Sequence, residues 1–262
     1  MTTSLQTLAL AALMAVAGIA GAADAPASAA LKVCVDQDDP PFAAEATPER
    51  GIDVEVAQAL AKQLNRPLRL VWVQVPNRGG IGKALRQTLV AGQCDAYLGI
   101  PQGPDMAGEL AERKLTQSGP YLLLGYVAVA APGRPVPTTA SLRRARKIGA
   151  VSATPADLYL HRMNLPRAPF PGSAALLAGL KSGEIDVALI WSPWLADDAA
   201  KGYVRGTESL GDADLVTGLT VATRRADEAL TRDIAAAVDA LRGEGRFDAI
   251  AQGHDLPKIT SP

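Results

Sequence analysis

From Leu31 onward the chain alternates between two hydrophobic rhythms. Leu31-Lys-Val-Cys-Val-Asp36 is a short apolar run that predicts a strand, closed by the polar Gln37-Asp38-Asp39 and by Pro40-Pro41-Phe42. Between Gly51 and Leu64 the apolar positions Ile52, Val56, Ala59, Leu60 and Leu64 fall on one face of a helix. Leu68–Val75 alternates and is rich in β-branched residues; Ile81–Ala91 has helical spacing with Gly92 as its stop; Asp95–Ile100 is again a short apolar strand. The order β-α-β-α-β predicts a parallel sheet with crossover helices.

The same unit then recurs. Leu89-x-x-Gly92-x-x-Asp95-Ala96-x-Leu98 matches Leu180-x-x-Gly183-x-x-Asp186-Val187-x-Leu189. Each copy reads as a helix end, a glycine cap and a buried strand, which predicts one such unit in each of two α/β lobes. Pro120–Ala131 and Leu215–Thr223 are long apolar extended runs that flank the second copy. Between them Lys147–Val151 predicts a strand, Thr154-Pro155 with Asp157 a helix start with a capping box, and Ser173 the cap of the next helix. Ala226–Leu241 carries a helical face at Leu230, Ile234, Val238 and Leu241, and Gly245–Ile250 opens a last short helix. The expected fold is α/β, with two lobes, two parallel or mixed sheets flanked by helices, and two crossing strands between them. Lobe 1 is expected from residues 23–127 and 218–262, lobe 2 from 128–217. In open α/β sheets ligands bind beyond the carboxyl ends of the strands, so the cleft between the lobes is the default site.

Charge narrows the partners. Lys and Arg total 26 against 27 Asp and Glu, which leaves no basic footprint for nucleic acid. The stretch from Leu8 to Ala23 is apolar but short and alanine-rich for a membrane span, and Ala20-Gly21-Ala22 fits a secretory cleavage pattern. Residues 1–22 are therefore expected to be a signal peptide, and the mature chain a soluble periplasmic monomer with no membrane insertion. Cys34 and Cys94 are the only cysteines. In an exported chain a bridge between them is the preferred reading, two separate buried thiols the other. Closing that loop would stabilise by at most about 4 kcal/mol.

The order of elements resembles that of the family 3 extracellular solute-binding proteins. The matching features are Pro40-Pro41-Phe42, Gly51-Ile-Asp53 with its helix, the repeated L-x-x-G-x-x-D, Pro120-Tyr121 and the terminal Ala-Leu-Arg-x-x-Gly-x-Phe-x-x-Ile run. The resemblance covers essentially the whole mature chain. It implies a type II periplasmic-binding-protein fold, usually serving an ABC importer of amino acids or similar polar solutes. Amino-acid binders of this family hold the ligand carboxylate with an Arg shortly after the third strand; here Arg113 is near, without its Thr-Pro-Glu-Arg setting. They also carry an acidic residue for the ligand amine where this chain has Trp191.

A narrower set of motifs is similar to the solute-binding-like branch associated with quinoprotein alcohol dehydrogenases. The set is Val33-Cys34-Val35-Asp36, Arg78-Gly79, Leu89-x-x-Gly92-x-Cys94-Asp95, Gly99-Ile-Pro101-Gln-Gly-Pro-Asp105-Met106, and Asp186-Val-Ala-Leu-Ile-Trp191-Ser-Pro193. The loop across Gly108–Gln117 is longer than in the branch, and Trp194 is not part of its pattern. The branch implies a periplasmic accessory of a dehydrogenase that uses pyrroloquinoline quinone and a metal, and it implies no ligand.

The candidate ligand-binding residues are Asp36, Phe42, Arg78, Gly99, Pro101, Asp105, Tyr121, Ser152, Thr154 and Trp191. Asp36, Asp38 and Asp39 lack the alternating oxygens, Gly and distal Glu of a calcium loop, so a solvated turn stands beside cleft-mouth contact by Asp36 or Phe42. Asn77–Ala84 imitates a phosphate loop but fails it at Asn77 and Ala84; a plain turn or an anion site at a helix start beside Arg78 both remain open. Trp191 lines the cleft or packs in the core, and Trp194 packs on the surface or contacts a pocket or partner.

His161 and His254 have no nucleophile or metal-site setting, and no catalytic residue, metal or cofactor is expected. The expected function is a non-catalytic solute-binding-type protein, accessory to a periplasmic quinoprotein dehydrogenase, with a small-ligand or docking cleft. The alternative is the binding subunit of an importer, with an ABC permease as partner and an amino acid or organic acid as solute. A third is a cyclohexadienyl-dehydratase-like enzyme, with Asp36 and Asp105 as acid or base.

Overall fold

The structure, a computed structural model, describes residues 29–260 apart from 197 and 209; the expected signal peptide at 1–22 lies outside the described residues. In chain order the first elements are β1 (Leu31–Asp36), the short β2 (Asp38–Asp39) and β3 (Ala43–Ala44), α1 (Ile52–Gln63), β4 (Leu68–Val73), α2 (Gly80–Gln87), β5 (Ala96–Pro101), α3 (Pro104–Glu112) and β6 (Leu115–Gln117). The long β7 (Leu122–Ala130) leads to α4 (Thr139–Arg144), β8 (Ile148–Val151), α5 (Pro155–Arg162), β9 (Arg167–Phe170), α6 (Ser173–Ser182), β10 (Val187–Trp191) and β11 (Val204–Arg205). The chain returns through β12 (Val216–Arg224) and closes with α7 (Glu228–Gly243) and α8 (Arg246–Gly253).

The strands form one curled sheet in the order β4-β1-β5-β12-β7-β10-β8-β9. β4, β1 and β5 run parallel, as do β10, β8 and β9. Between these blocks β12 and β7 run antiparallel to each other and to their neighbours β5 and β10. The two expected extended runs are therefore the two strands that join the lobes. Each block buries both faces, which is why its strands read as continuous apolar runs. In the first block α1, α7 and α8 cover one face, and α2 and α3 cover the other. In the second, α6 covers one face, and α4 and α5 the other.

The sequence repeat is a structural repeat down to its hydrogen bonds. Gln93 N–H reaches Thr88 O at 2.9 Å and Glu184 N–H reaches Gly179 O at 3.0 Å, with Gly92 and Gly183 in the left-handed region at φ 75° and 79°. This is a helix-ending motif that glycine alone adopts without strain. The Asp that follows ties down the first strand of its own block. Asp95 Oδ2 accepts from Lys32 N–H at 3.0 Å, and Asp186 Oδ2 accepts from Arg146 and Lys147 N–H at 2.7 and 3.3 Å.

Several expected boundaries move. α2 ends at Gln87 rather than Ala91, because the Thr88 hydroxyl turns back onto Ala84 O at 2.7 Å and the chain leaves the helix there. Ser173 is the first helical residue of α6, and the extended Gly172 is its N-cap. Thr154 caps α5 as expected, but Asp157 Oδ2 returns to Ala153 N–H rather than to Thr154. β9 and α3 carry no clear period. Pro169 breaks the strand reading and is tolerated because β9 pairs with β8 alone, at the sheet edge. α3 buries only Leu110. Cys34 and Cys94 are bridged, with Cα atoms 5.7 Å apart, pinning β1 to the segment that enters β5.

Candidate functional site

Both blocks end at one cleft of about 580 Å³, inside the range of roughly 300–1,000 Å³ common for small-molecule sites. Leu124 of β7 and Leu219 of β12 supply part of the lining from the crossing strands. The first lobe contributes Asp39–Phe42 of the β2–β3 hairpin, Asp53 of α1 and Gly99 of β5. The second contributes Trp191, Pro193, Trp194 and Ala196.

Trp191 stands there because β10 ends with it. Val187 and Leu189 are buried in the core of the second lobe, whereas Trp191, one alternation further on, packs against the core of the first. Its ring lies 5.2 Å from that of Tyr126, the residue opposite it on β7. The ladder stops at the next residues. Pro193 has no N–H to donate, and the buried Ser192 accepts the Gly125 N–H through its hydroxyl at 3.1 Å. The chain then winds into a 3₁₀ turn, Ser192–Ala196, which leaves Trp194 half exposed. A second cavity of about 430 Å³ lies beside the first, lined by Tyr126, Thr154 and Ser173 among others. Trp191 and Trp194 line both cavities.

Opposite the indoles stands Asp53, 4 % exposed, in the first turn of α1. Its position follows from Gly51: φ there is 133°, a Cβ would lie 2.4 Å from Phe42 O, and the close approach lets Asp53 N–H reach that same oxygen at 2.9 Å. Asp53 Oδ1 accepts the Tyr121 hydroxyl at 2.6 Å, and Tyr121 Oη accepts the Gly99 N–H at 3.0 Å. Gly99 has φ 75°, and a Cβ there would lie 3.2 Å from Asp53 Oδ2. Burial pushes the Asp53 carboxyl up to about 7; the Tyr121 hydrogen bond pulls it back, and the charges of Asp39 and Asp36 add to the rise. Asp39, at the cleft mouth, is raised to about 6 by partial desolvation and by Asp36 and Asp38. Burial and Asp53 hold the Tyr121 hydroxyl well above its ordinary value, so it keeps its proton, donating it to Asp53 while accepting from Gly99.

The candidate residues separate by place. Phe42, Gly99 and Trp191 line the main cleft, Thr154 lines the second cavity, and Tyr121 lies behind the cleft wall through its bonds to Asp53 and Gly99. Asp36 ends β1 and turns its carboxylate onto Asp38 N–H at 3.0 Å. Pro101, at the end of β5, Arg78, before α2, Asp105, in α3, and Ser152, after β8, are not among the residues lining either cavity. Arg113 is occupied elsewhere: it pairs with Glu109 at 2.8 Å and donates to Gly82 O at 3.1 Å. His161 is exposed on α5 and His254 pairs with Glu55 at 2.7 Å. Asp39, Asp53 and Trp194 complete a site that sequence patterns only partly located. The signal for Asp53 was present in Gly51-Ile-Asp53, a charged residue on the apolar side of a helix start.

A comparison with curated protein sequences found no match. Among solved structures the chain is similar to MxaJ from Methlophaga aminisulfidivorans MPT, with 20% identity, a TM-score of 0.58, and 87% of this chain and 100% of that one covered. It is similar also to the periplasmic binding protein XoxJ from Methylobacterium extorquens AM1, with 20% identity, a TM-score of 0.57, and 88% and 100% covered. The unliganded, open L-cystine solute receptor of Neisseria gonorrhoeae superposes with a TM-score of 0.70 at 17% identity, over 89% of this chain and 96% of that one. These likenesses carry the two-lobed fold. The description of the bacterial extracellular solute-binding proteins, family 3, matches residues 31–254, and the chain belongs to that family.

Proposed function

We propose that the chain is an exported, non-catalytic, monomeric solute-binding-type protein that serves a periplasmic quinoprotein alcohol dehydrogenase as an accessory, with the cleft at Trp191 as its ligand or docking site. In this reading residues 23–127 and 218–262 form one lobe and 128–217 the other, hinged where β7 and β12 cross. Phe42, Gly99 and Trp191 contact the occupant, and Asp39 and Asp53 join them; the remaining candidates frame the lobes around it.

One observation carries the reading. Among the described residues that line the cleft there is no Lys or Arg, and two carboxylates stand where an amino-acid carboxylate would meet repulsion. Arg113, the nearest counterpart of the usual anchor, is engaged by Glu109 and Gly82. The branch motifs around Cys34, Gly99–Met106 and Trp191 supply the dehydrogenase association. The family match over 31–254 favours the importer reading as the second one.

A thermal-shift screen separates the two. A solute at one hundred times its Kd stabilises by about 2.7 kcal/mol. The twenty amino acids and small organic acids are expected to give no shift, while co-purification with a quinoprotein alcohol dehydrogenase gives a complex. A clear shift with an α-amino acid and no complex would establish the importer reading instead.

A further inference from the structure

The cleft combines two features that are seldom placed together without a reason. Its walls are aromatic and apolar, from Phe42, Trp191, Trp194, Leu124 and Leu219, and its only ionisable lining groups among the described residues are the carboxylates of Asp39 and Asp53. Asp53 is buried, and only one of its two oxygens is satisfied by the protein. Oδ1 takes the Tyr121 hydroxyl; Oδ2 has no hydrogen bond among the described residues and lies on the Gly99 side, where the absent Cβ leaves room. That second oxygen opens onto the cleft, where it is available to an occupant.

We propose that the cleft binds a small organic cation bearing alkyl or methyl groups, with its charge at the Asp39–Asp53 end and its apolar groups against Trp191, Trp194 and Phe42. The proposal deepens the ligand-cleft reading above and rests on it. A cation supplies the charge that the site lacks, and indole rings attract alkylated ammonium groups electrostatically once water is excluded. A hard metal ion is a poor fit, because calcium takes six to eight oxygens at about 2.3–2.6 Å and no cluster of three or more acidic, His or Cys side chains is placed to hold a metal among the described residues. An anion is repelled. A neutral ligand leaves the two carboxylates uncompensated.

The electrostatics agree with this geometry. Every charged group that shifts Asp39 or Asp53 is another carboxylate: Asp36 and Asp38 act on Asp39, and Asp39 and Asp36 on Asp53. Tyr121 donates to Asp53, and the hydroxyl of Tyr97 on β5 is raised by burial first and then by Asp36 and Asp53. No cation contributes. With Asp39 at about 6 and Asp53 at about 7, both sites hold protons in part at neutral pH, and an arriving cation would expel them.

Titration calorimetry with choline and with its neutral isostere 3,3-dimethylbutan-1-ol tests the proposal on the full mature chain. The expected result is binding of choline at least tenfold tighter than the alcohol, an affinity that rises about tenfold from pH 5.5 to 7.5, and a heat that changes between phosphate and Tris because protons are released. Asp53→Asn should lower the choline affinity at least tenfold. Because that change also touches the Tyr121 contact, Asp39→Asn, at the exposed mouth, is the second variant and should weaken choline about threefold while leaving the alcohol unaffected. Equal affinity for the two probes would overturn the cationic class and leave the ligand-cleft reading standing. No binding of choline, tetramethylammonium or an alkylammonium would overturn the proposal as well. Tight binding of a zwitterionic amino acid would overturn both.

Discussion

At the scale of single residues, Asp53 is a buried acid whose carboxyl is displaced far from its ordinary range. Its carboxyl ordinarily titrates near 3.8 and here near 7, so between those values the folded state holds a proton that the unfolded state has released. The stabilisation is fully present below the unfolded value and is lost as pH rises through the folded one. Each unit of such a shift corresponds to about 1.4 kcal/mol. Asp53→Asn removes the ionisation and keeps an acceptor for Tyr121. Its melting temperature relative to the wild type should therefore rise between pH 5 and pH 8, measured by calorimetry in parallel buffers. A difference independent of pH would mean that Asp53 is not the buried acid it is taken for. Asp53 was visible in the sequence only as part of a helix start, because burial and a tyrosine 68 residues away create its character. Trp191 was more legible: the alternation Val187, Leu189, Trp191 located the strand end, and only the antiparallel partner β7 showed which core the ring packs against.

At the scale of elements, local pattern was enough wherever periodicity and caps agreed. α1 and α7 lie within a few residues of their expected spans, α5 and α6 start within a residue of their expected caps, and the repeated L-x-x-G-x-x-D became two copies of one helix-cap-strand unit. The misses share a cause. β9 contains a proline that only an edge position excuses, α3 buries a single leucine, and β6 has three residues; each is fixed by neighbours rather than by its own sequence. The disulfide belongs to this scale, since it fastens β1 to the turn between α2 and β5 across 60 positions. Replacing both Cys34 and Cys94 by Ser should lower stability by up to about 4 kcal/mol in urea titration. Unreduced, denatured protein should leave no thiol for alkylation; two labelled thiols per chain would contradict the bridge.

At the scale of the whole molecule, the two extended runs carry the architecture, because among the described residues β7 and β12 are the strands through which one parallel block meets the other in the sheet order. A third connection was not legible at all. The segment after α8 runs from the first lobe's core, where Leu256 is buried, to the second lobe's core, against which Ile259 packs. Arg205 of β11 donates to Asp255 O at 2.6 Å, and Ile259 fills the space that Gly125 of β7 leaves open. This tail straps the two cores together. Ile259→Ala should cost about 1–2 kcal/mol and speed amide hydrogen exchange around Gly125, while exchange in the distant β4 stays unchanged. Uniform acceleration in both places would reduce the strap to ordinary core packing.

The placement of the indoles has a practical consequence. The chain has three tryptophans, and two of them, Trp191 and Trp194, line both cavities, one half-buried beside Tyr126 and one half exposed. The third, Trp72 on β4, packs against the first core far along the sheet. The protein's ultraviolet emission is thus weighted toward the mouth of its own cleft. It is a fluorophore pair already installed at the cleft wall, so a ligand that enters can be followed optically in the unlabelled protein, against a constant background from Trp72.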